Sequence, residues 1–240
     1  MEIAGRVLLV DPMLDDTGAR PAIEGTENDR RNPLVPLPIP VAEVVGGIDA
    51  ALITHLHADH LDHAAVAALP PSLPLFCQPD DIGALAASGF TDVRPVDVAA
   101  DFDGIAIART PARHGKGEIG DRMAPASGFL VVAEGEPKLY VAGDTIWCTE
   151  VAEVLGRDQP DVTVVNAGAA QFVEGGPITM DGADVADLTQ NAPWTQVVAV
   201  HMEAINHCLL TRDALRAKLA GLGLAAYVAI PADGEELAFD

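Results

Sequence analysis

Aromatic residues are scarce in this 240-residue chain, at 4%. Its core must therefore be filled by Ala, Val and Leu, and 49% hydrophobic against 21% charged residues is the balance of a globular protein. Basic residues are also few: 14 Lys and Arg stand against 36 Asp and Glu, a net charge of −22. A surface that negative repels nucleic acid and anionic membrane, and we read it as serving solubility or a salty habitat. Only three cysteines occur (Cys77, Cys148, Cys208), far apart and without a CxxC. They point to a reducing compartment rather than a disulfide framework. The opening MEIAGRVLLVDP lacks the basic n-region and long h-region of a signal peptide, and no apolar run reaches bilayer length. The expectation is a cytoplasmic protein with no membrane and no nucleic-acid partner, built as one domain over residues 1–240. No GxSxG motif is present, so no serine nucleophile on a sharp strand-to-helix turn is indicated.

What is present is a succession of short apolar runs. Gly5 to Val10 reads as a buried strand stopped at Asp11-Pro12. Residues 13–40 are polar and then proline-rich, an irregular loop long enough to line a site. Strands are predicted over 49–54, 73–77, 104–109, 162–165, 197–200 and 225–230. Residues 127–133 and 138–142 flank Glu134-Gly135-Glu136-Pro137 as a hairpin. Helices are predicted over 63–69, 80–88, 147–156, 181–190 and 211–220. This rhythm suits an α/β (α+β) fold of two mixed sheets with helices outside.

The segment Thr54-His55-Leu56-His57-Ala58-Asp59-His60 directly follows a buried strand. It places four metal-capable side chains within six residues. Imidazole nitrogen and carboxylate oxygen suit Zn²⁺ and similar divalent ions, with manganese or iron as alternatives. A strand end followed by a tight turn can aim His55 and His57 at one spot and Asp59 and His60 at the next.

The pattern His55-x-His57-x-Asp59-His60 resembles the HxHxDH motif of the metallo-β-lactamase superfamily, and the resemblance covers most of the chain. It implies a four-layer αββα sandwich with two metal ions at one edge. It also implies further ligands downstream: His114, Asp144 and His201, each after a predicted strand. Carried over, His55, His57 and His114 would hold one ion, Asp59, His60 and His201 the other, and Asp144 would bridge them. A metal-bound hydroxide would then attack a small ester, lactone, amide or phosphoester, with Asp59 orienting it or shuttling a proton. Gly176-Pro177-Ile178-Thr179-Met180 resembles the branch of broad metal-dependent hydrolases that includes ascorbate-phosphate lactonase-like proteins. That branch usually carries a strand before the one ending in Asp-Pro. This chain begins almost at that second strand, which predicts a differently built sheet edge.

Nucleases of this fold want a basic groove, which the charge opposes. Glyoxalase-type thioesterases carry an added helical domain, and flavodiiron enzymes have altered histidines. The alternative from a different class is a catalytically idle metal-binding or sensor module.

Several residues keep two readings. Asp11 either orients a histidine ligand or caps a strand end. His63 is a partner to the site or a helix-face histidine, and Asp181 matches the family pattern or simply caps a helix. Glu203, Asn206 and His207 face the substrate or lock the 201–208 loop, and His207 is the candidate for a catalytic role there. Arg113 and Lys116 bind an anionic group or are solvated loop charges, Trp147 and Cys148 line the pocket or hold helix-core positions, and Cys77 and Cys208 read as small buried apolar residues. Oligomeric state and the identity of the small-molecule substrate are not encoded in any of these motifs.

Overall fold

In the computed structural model, which describes residues 1–123 and 125–239, the first sheet is formed by β1 (Glu2–Ile3), β2 (Arg6–Val10), β3 (Ala50–Ile53), β4 (Leu75–Cys77) and β5 (Val93–Pro95), in that order. Only β1 runs antiparallel. The second sheet comprises β6 (Ala99–Phe102), β7 (Ile105–Pro111), β8 (Ser127–Val132), β9 (Leu139–Val141), β10 (Val162–Asn166), β11 (Gln196–Val200) and β12 (Val228–Ala229). Strands β9 to β12 are parallel and β6 to β9 antiparallel.

The layers follow from side-chain alternation, since successive strand residues face opposite sides. In β3, Ala50 and Leu52 point between the sheets, toward Phe129 and Ile107, whereas Ala51 and Ile53 point outward. The outward pair packs against Leu69, just past α2 (His63–Ala68), and against Leu85 of α3 (Ile82–Ala87). On the far side, Tyr140, Val165, Val197 and Ala199 pack under three helices: α5 (Thr149–Asp158), α6 (Gly182–Asn191) and α7 (Arg212–Gly221). Helix, sheet, sheet, helix is the expected αββα sandwich. Because β3 is covered on both faces, all four of its residues are buried, which is why it reads as a continuous apolar run.

Some expectations need correction. The sheet edge does carry the extra strand: Glu2–Ile3 pairs with Arg6–Val7 across a turn at Ala4-Gly5, so the 5–10 run begins one residue later. Residues 225–227 form a 3₁₀ turn and only Val228–Ala229 extend. Short elements escaped the pattern: β5, β6, α1 (Val41–Val44) and α4 (Gly117–Arg122) are too brief to show a period. Residues 13–40 are irregular as expected, pinned by an Arg20–Asn32 bridge. Among the described residues, no helix is long and apolar enough to cross a membrane.

Candidate metal centre

The predicted residues converge from strand ends. His55 lies two residues past β3 and His201 directly after β11, while His114 and Asp144 each stand three residues past β7 and β9. After β3 the chain turns at once, His57 carbonyl accepting from His60 N–H at 2.9 Å and Leu61 N–H at 3.1 Å. Asp62 then caps α2 by accepting from Ala65 N–H, and its other oxygen takes Leu14 and Asp15 N–H at 2.7 Å. This ties the 13–40 loop to the motif. Before Asp144, Gly143 adopts φ 68°, and a Cβ there would lie 2.5 Å from the Ser127 carbonyl oxygen. Only glycine lets the chain pass.

Three donor groups result, each with its atoms within 4.8 Å of one another: His55, His57 and His114; His55, His60 and Asp144; Asp59, His60 and His201. Asp144 Oδ2 lies 3.3 Å from His60 Nε2, 3.4 Å from His114 Nε2 and 3.9 Å from His55 Nε2. His201 Nε2 lies 3.5 Å from Asp59 Oδ2.

The opposite ring nitrogens are held from outside. Thr54 Oγ1 is 3.1 Å from His55 Nδ1, and Asp11 Oδ2 is 2.9 Å from His60 Nδ1. The Ile178 carbonyl is 2.8 Å from His114 Nδ1, and Cys208 Sγ is 3.5 Å from His201 Nδ1. Asn166 donates to Asp144 Oδ1 at 2.6 Å. With those atoms engaged, the facing nitrogens present lone pairs inward, the arrangement metal-binding histidines adopt. His60 Nε2 and His201 Nε2 are buried with no hydrogen-bond partner among the described residues. A buried polar atom without a partner is costly, and a cation would satisfy both.

The electrostatics agree. Burial opposes charge on His60, yet Asp144 and Asp11 raise its pKa to about 10. His201 is raised well above its ordinary value against burial, by Asp144 foremost. Burial and then His60 push His55 down to about 2. Asp144 is held well below the usual carboxylate range by His60 and His201 despite burial, and Asp59 is likewise lowered by His201 and His60. The carboxylates thus demand positive charge, which protons supply or divalent cations would supply in their place. The N/O donor set, its spacing and its orphaned nitrogens fit such ions.

The remaining candidates separate cleanly. Asp11 does orient a histidine, and it also accepts from Thr54 N–H and Oγ1–H at 2.8 and 2.6 Å. Asp181 is a helix cap, accepting from Ala183 and Asp184 N–H. His63 lies exposed on α2. Asn206 is a loop lock, joined to Ile23, Thr26, Asn28 and Asn32, and Glu203 pairs with Arg212 at 2.7 Å. Arg113 pairs with Glu150 at the surface, Lys116 is exposed, and Trp147 and Cys148 pack partly buried against the outer core. Cys77 is the expected buried apolar residue, whereas Cys208 is more than that, since it contacts His201. His207 is buried against Phe172 with Nδ1 lacking a hydrogen-bond partner among the described residues, and burial lowers its pKa to about 4. Thr54, Asn166 and the Ile178 carbonyl were not anticipated. Asn166 had a signal: it ends an apolar strand in the same way that His201 follows β11.

Comparison with known proteins gives a consistent picture. Residues 6–202 match the family described as the beta-lactamase superfamily domain. A Bacillus subtilis relative, UPF0173 protein YddR, is 34% identical over all of this chain and 95% of its own. The crystal structure of a possible metal-dependent hydrolase from Veillonella parvula superposes with TM-score 0.95 and 32% identity, covering 98% of this chain and 93% of that one. An isothiocyanate hydrolase from Delia radicum gut bacteria superposes with TM-score 0.94 and 36% identity, covering 100% and 95%.

Proposed function

The chain belongs to the metallo-β-lactamase superfamily of metal-dependent hydrolases, and we propose that it is a two-metal enzyme, with zinc as the preferred ion, acting on small uncharged electrophiles. The observation that carries this reading is the pairing of two three-residue donor groups, with Asp144 beside both and inward-facing buried nitrogens on His60 and His201. His55, His57 and His114 hold one ion in this assignment; Asp59, His60 and His201 hold the other; Asp144 stands between. When bound, two divalent ions supply a Lewis acid for the substrate oxygen or sulfur and a nucleophilic oxygen near neutral pH.

The chain's own residues supply the rest. Asp11, Thr54, Cys208 and the Ile178 carbonyl fix the histidine rings so that one nitrogen of each faces inward. Asp59 orients the attacking oxygen. His207, buried and with Nδ1 unpartnered among the described residues, is the candidate for proton transfer beside the site. Esters, lactones and amides fit this site, and so do isothiocyanates, on which a structural neighbour acts. Phosphoesters fit a −22 surface less well.

Elemental mass spectrometry on wild type and Asp144→Ala tests the reading. We expect about two ions per wild-type chain and a clear loss in the variant, with hydrolysis of a neutral ester and isothiocyanate panel down about 100-fold or more. Metal content unmoved by the substitution would overturn the ligand assignment. Full metal loading with no turnover across the panel would favour the idle binding module.

A further inference from the structure

Between β1–β2 and β9–β11 the two sheets leave a cleft of about 810 Å³. One wall is made of alternate residues on three adjacent parallel strands: Leu139 and Val141, Val162 and Val164, Val198 and Val200. Alternation turns these six inward while Tyr140, Val165, Val197 and Ala199 pack beneath the helices. Ile3 and Val10 form the facing wall. Asp59, His60 and His201 line it at the strand ends with Asp11 and Asn166, and Met1–Gly5 and Leu237–Phe239 also line it. From Val162 to Asn166 the cleft runs about 13 Å, at roughly 3.3 Å per strand residue. No Lys or Arg lines it among the described residues, and its outer acids, Glu2, Glu136 and Glu235, are exposed.

We propose that this cleft is the seat of the substrate's apolar tail: an uncharged alkyl or aryl group lies between the sheets, with its electrophilic carbon at the strand ends beside Asp59 and His201. The inference rests on the hydrolase reading above and adds a substrate class to it. Three observations carry it. The volume is that of a small-molecule pocket, with apolar walls and a few polar groups at one end. All three residues of one donor group, Asp59, His60 and His201, line the cleft, together with Asp11 and Asn166, which hold His60 and Asp144. Its outer acids are exposed and no Lys or Arg lines it among the described residues, so away from the donor residues and the Met1 ammonium an anionic tail is disfavoured.

Non-reacting n-alkanols, from butanol to octanol, probe the cleft apart from catalysis. Binding to the metal-loaded full chain is read from valine methyl resonances. Affinity should rise about three- to fourfold per methylene, and shifts should fall on Val164, Val198 and Val200. Val164→Phe should flatten the chain-length dependence. Val10→Phe fills the cleft from the other sheet and should do the same. In turnover, kcat/KM for phenethyl relative to methyl isothiocyanate should fall about tenfold or more in either variant. Affinity independent of chain length in the wild type, or dependence untouched by both fillings, overturns the proposal. Failure of the hydrolase reading looks different: no substrate is turned over, while alkanol binding persists.

Discussion

Where β4 and β5 face β6 to β8, Phe76, Phe102 and Phe129 interlock with Ile105 and Ile107, and Arg94 lies over two of the rings at 5.5 and 5.8 Å. Where β1 and β2 face β9 to β11, the inward residues are mostly valines and the sheets stand apart around the cleft. The backbone layers are the same in both places, so side-chain length makes the difference. Packed sheets lie about 10 Å apart, a gap that two facing aromatics close and two facing valines do not. With only six Phe in the chain, three of them spent on one flank, the molecule concentrates rigid packing there and leaves room beside the metal centre. The closed flank holds the strand ends in register, and the open flank ends on the residues they aim.

The sharpest way to break this comparison is to empty each flank in turn. Phe76→Ala should cost about 3–5 kcal/mol in denaturant unfolding, whereas Val198→Ala should cost about 1 kcal/mol, because its neighbours already border open space. Equal losses would mean that the cleft closes in solution. A second test concerns the seam where both flanks meet the site. Thr54→Val removes the hydroxyl joining Asp11 to His55, and metal affinity measured by competition with a chelator should fall about 10- to 100-fold with little change in the unfolding midpoint of the chelated protein. Filling is the converse of emptying. Ala50→Leu, between the sheets at full burial, should destabilise by about 1–3 kcal/mol, while Val164→Leu should stay within about 0.5 kcal/mol.

A further difference is a pH dependence centred on the metal site at the end of the open flank, where buried His60 faces Asp11 and Asp144. In chelated protein the folded-state pKa of His60 lies at about 10, above its unfolded value. Its contribution is therefore complete below pH 6.5 and fades as pH rises toward 10. Thermal unfolding of wild type and His60→Gln across that range should converge at the alkaline end; parallel curves would place the proton elsewhere.

Much of the site was legible because its residues obey a local rule. His55, His57, Asp59 and His60 sit within six positions after an apolar run, and Asp144 and His201 each follow another. The geometry brings all of these and His114 into three neighbouring donor groups. The supporting contacts were less visible, because their partners are far apart in the chain. Asn166 holds Asp144 across 22 residues, and Ile178 serves His114 across 64 through a backbone carbonyl that no side-chain pattern announces. Cys208 read as a buried apolar residue because a thiol's burial and its hydrogen bonding look alike in one dimension. The two-residue β1 was missed because two residues have no periodicity; its pairing with β2 creates the strand.

By itself the sequence determined the layer order, the chemistry of the donors and the strand ends that carry them, because alternation, turn residues and ligand types are local properties. Tertiary structure alone decided which nitrogen of each histidine faces inward, that Asn206 locks a loop while His207 Nδ1 has no partner among the described residues, and that a valine-lined face on one sheet lies opposite a short edge on the other. Those outcomes depend on distances between segments remote in the chain. Packing sets such distances, and no pattern along the chain records them.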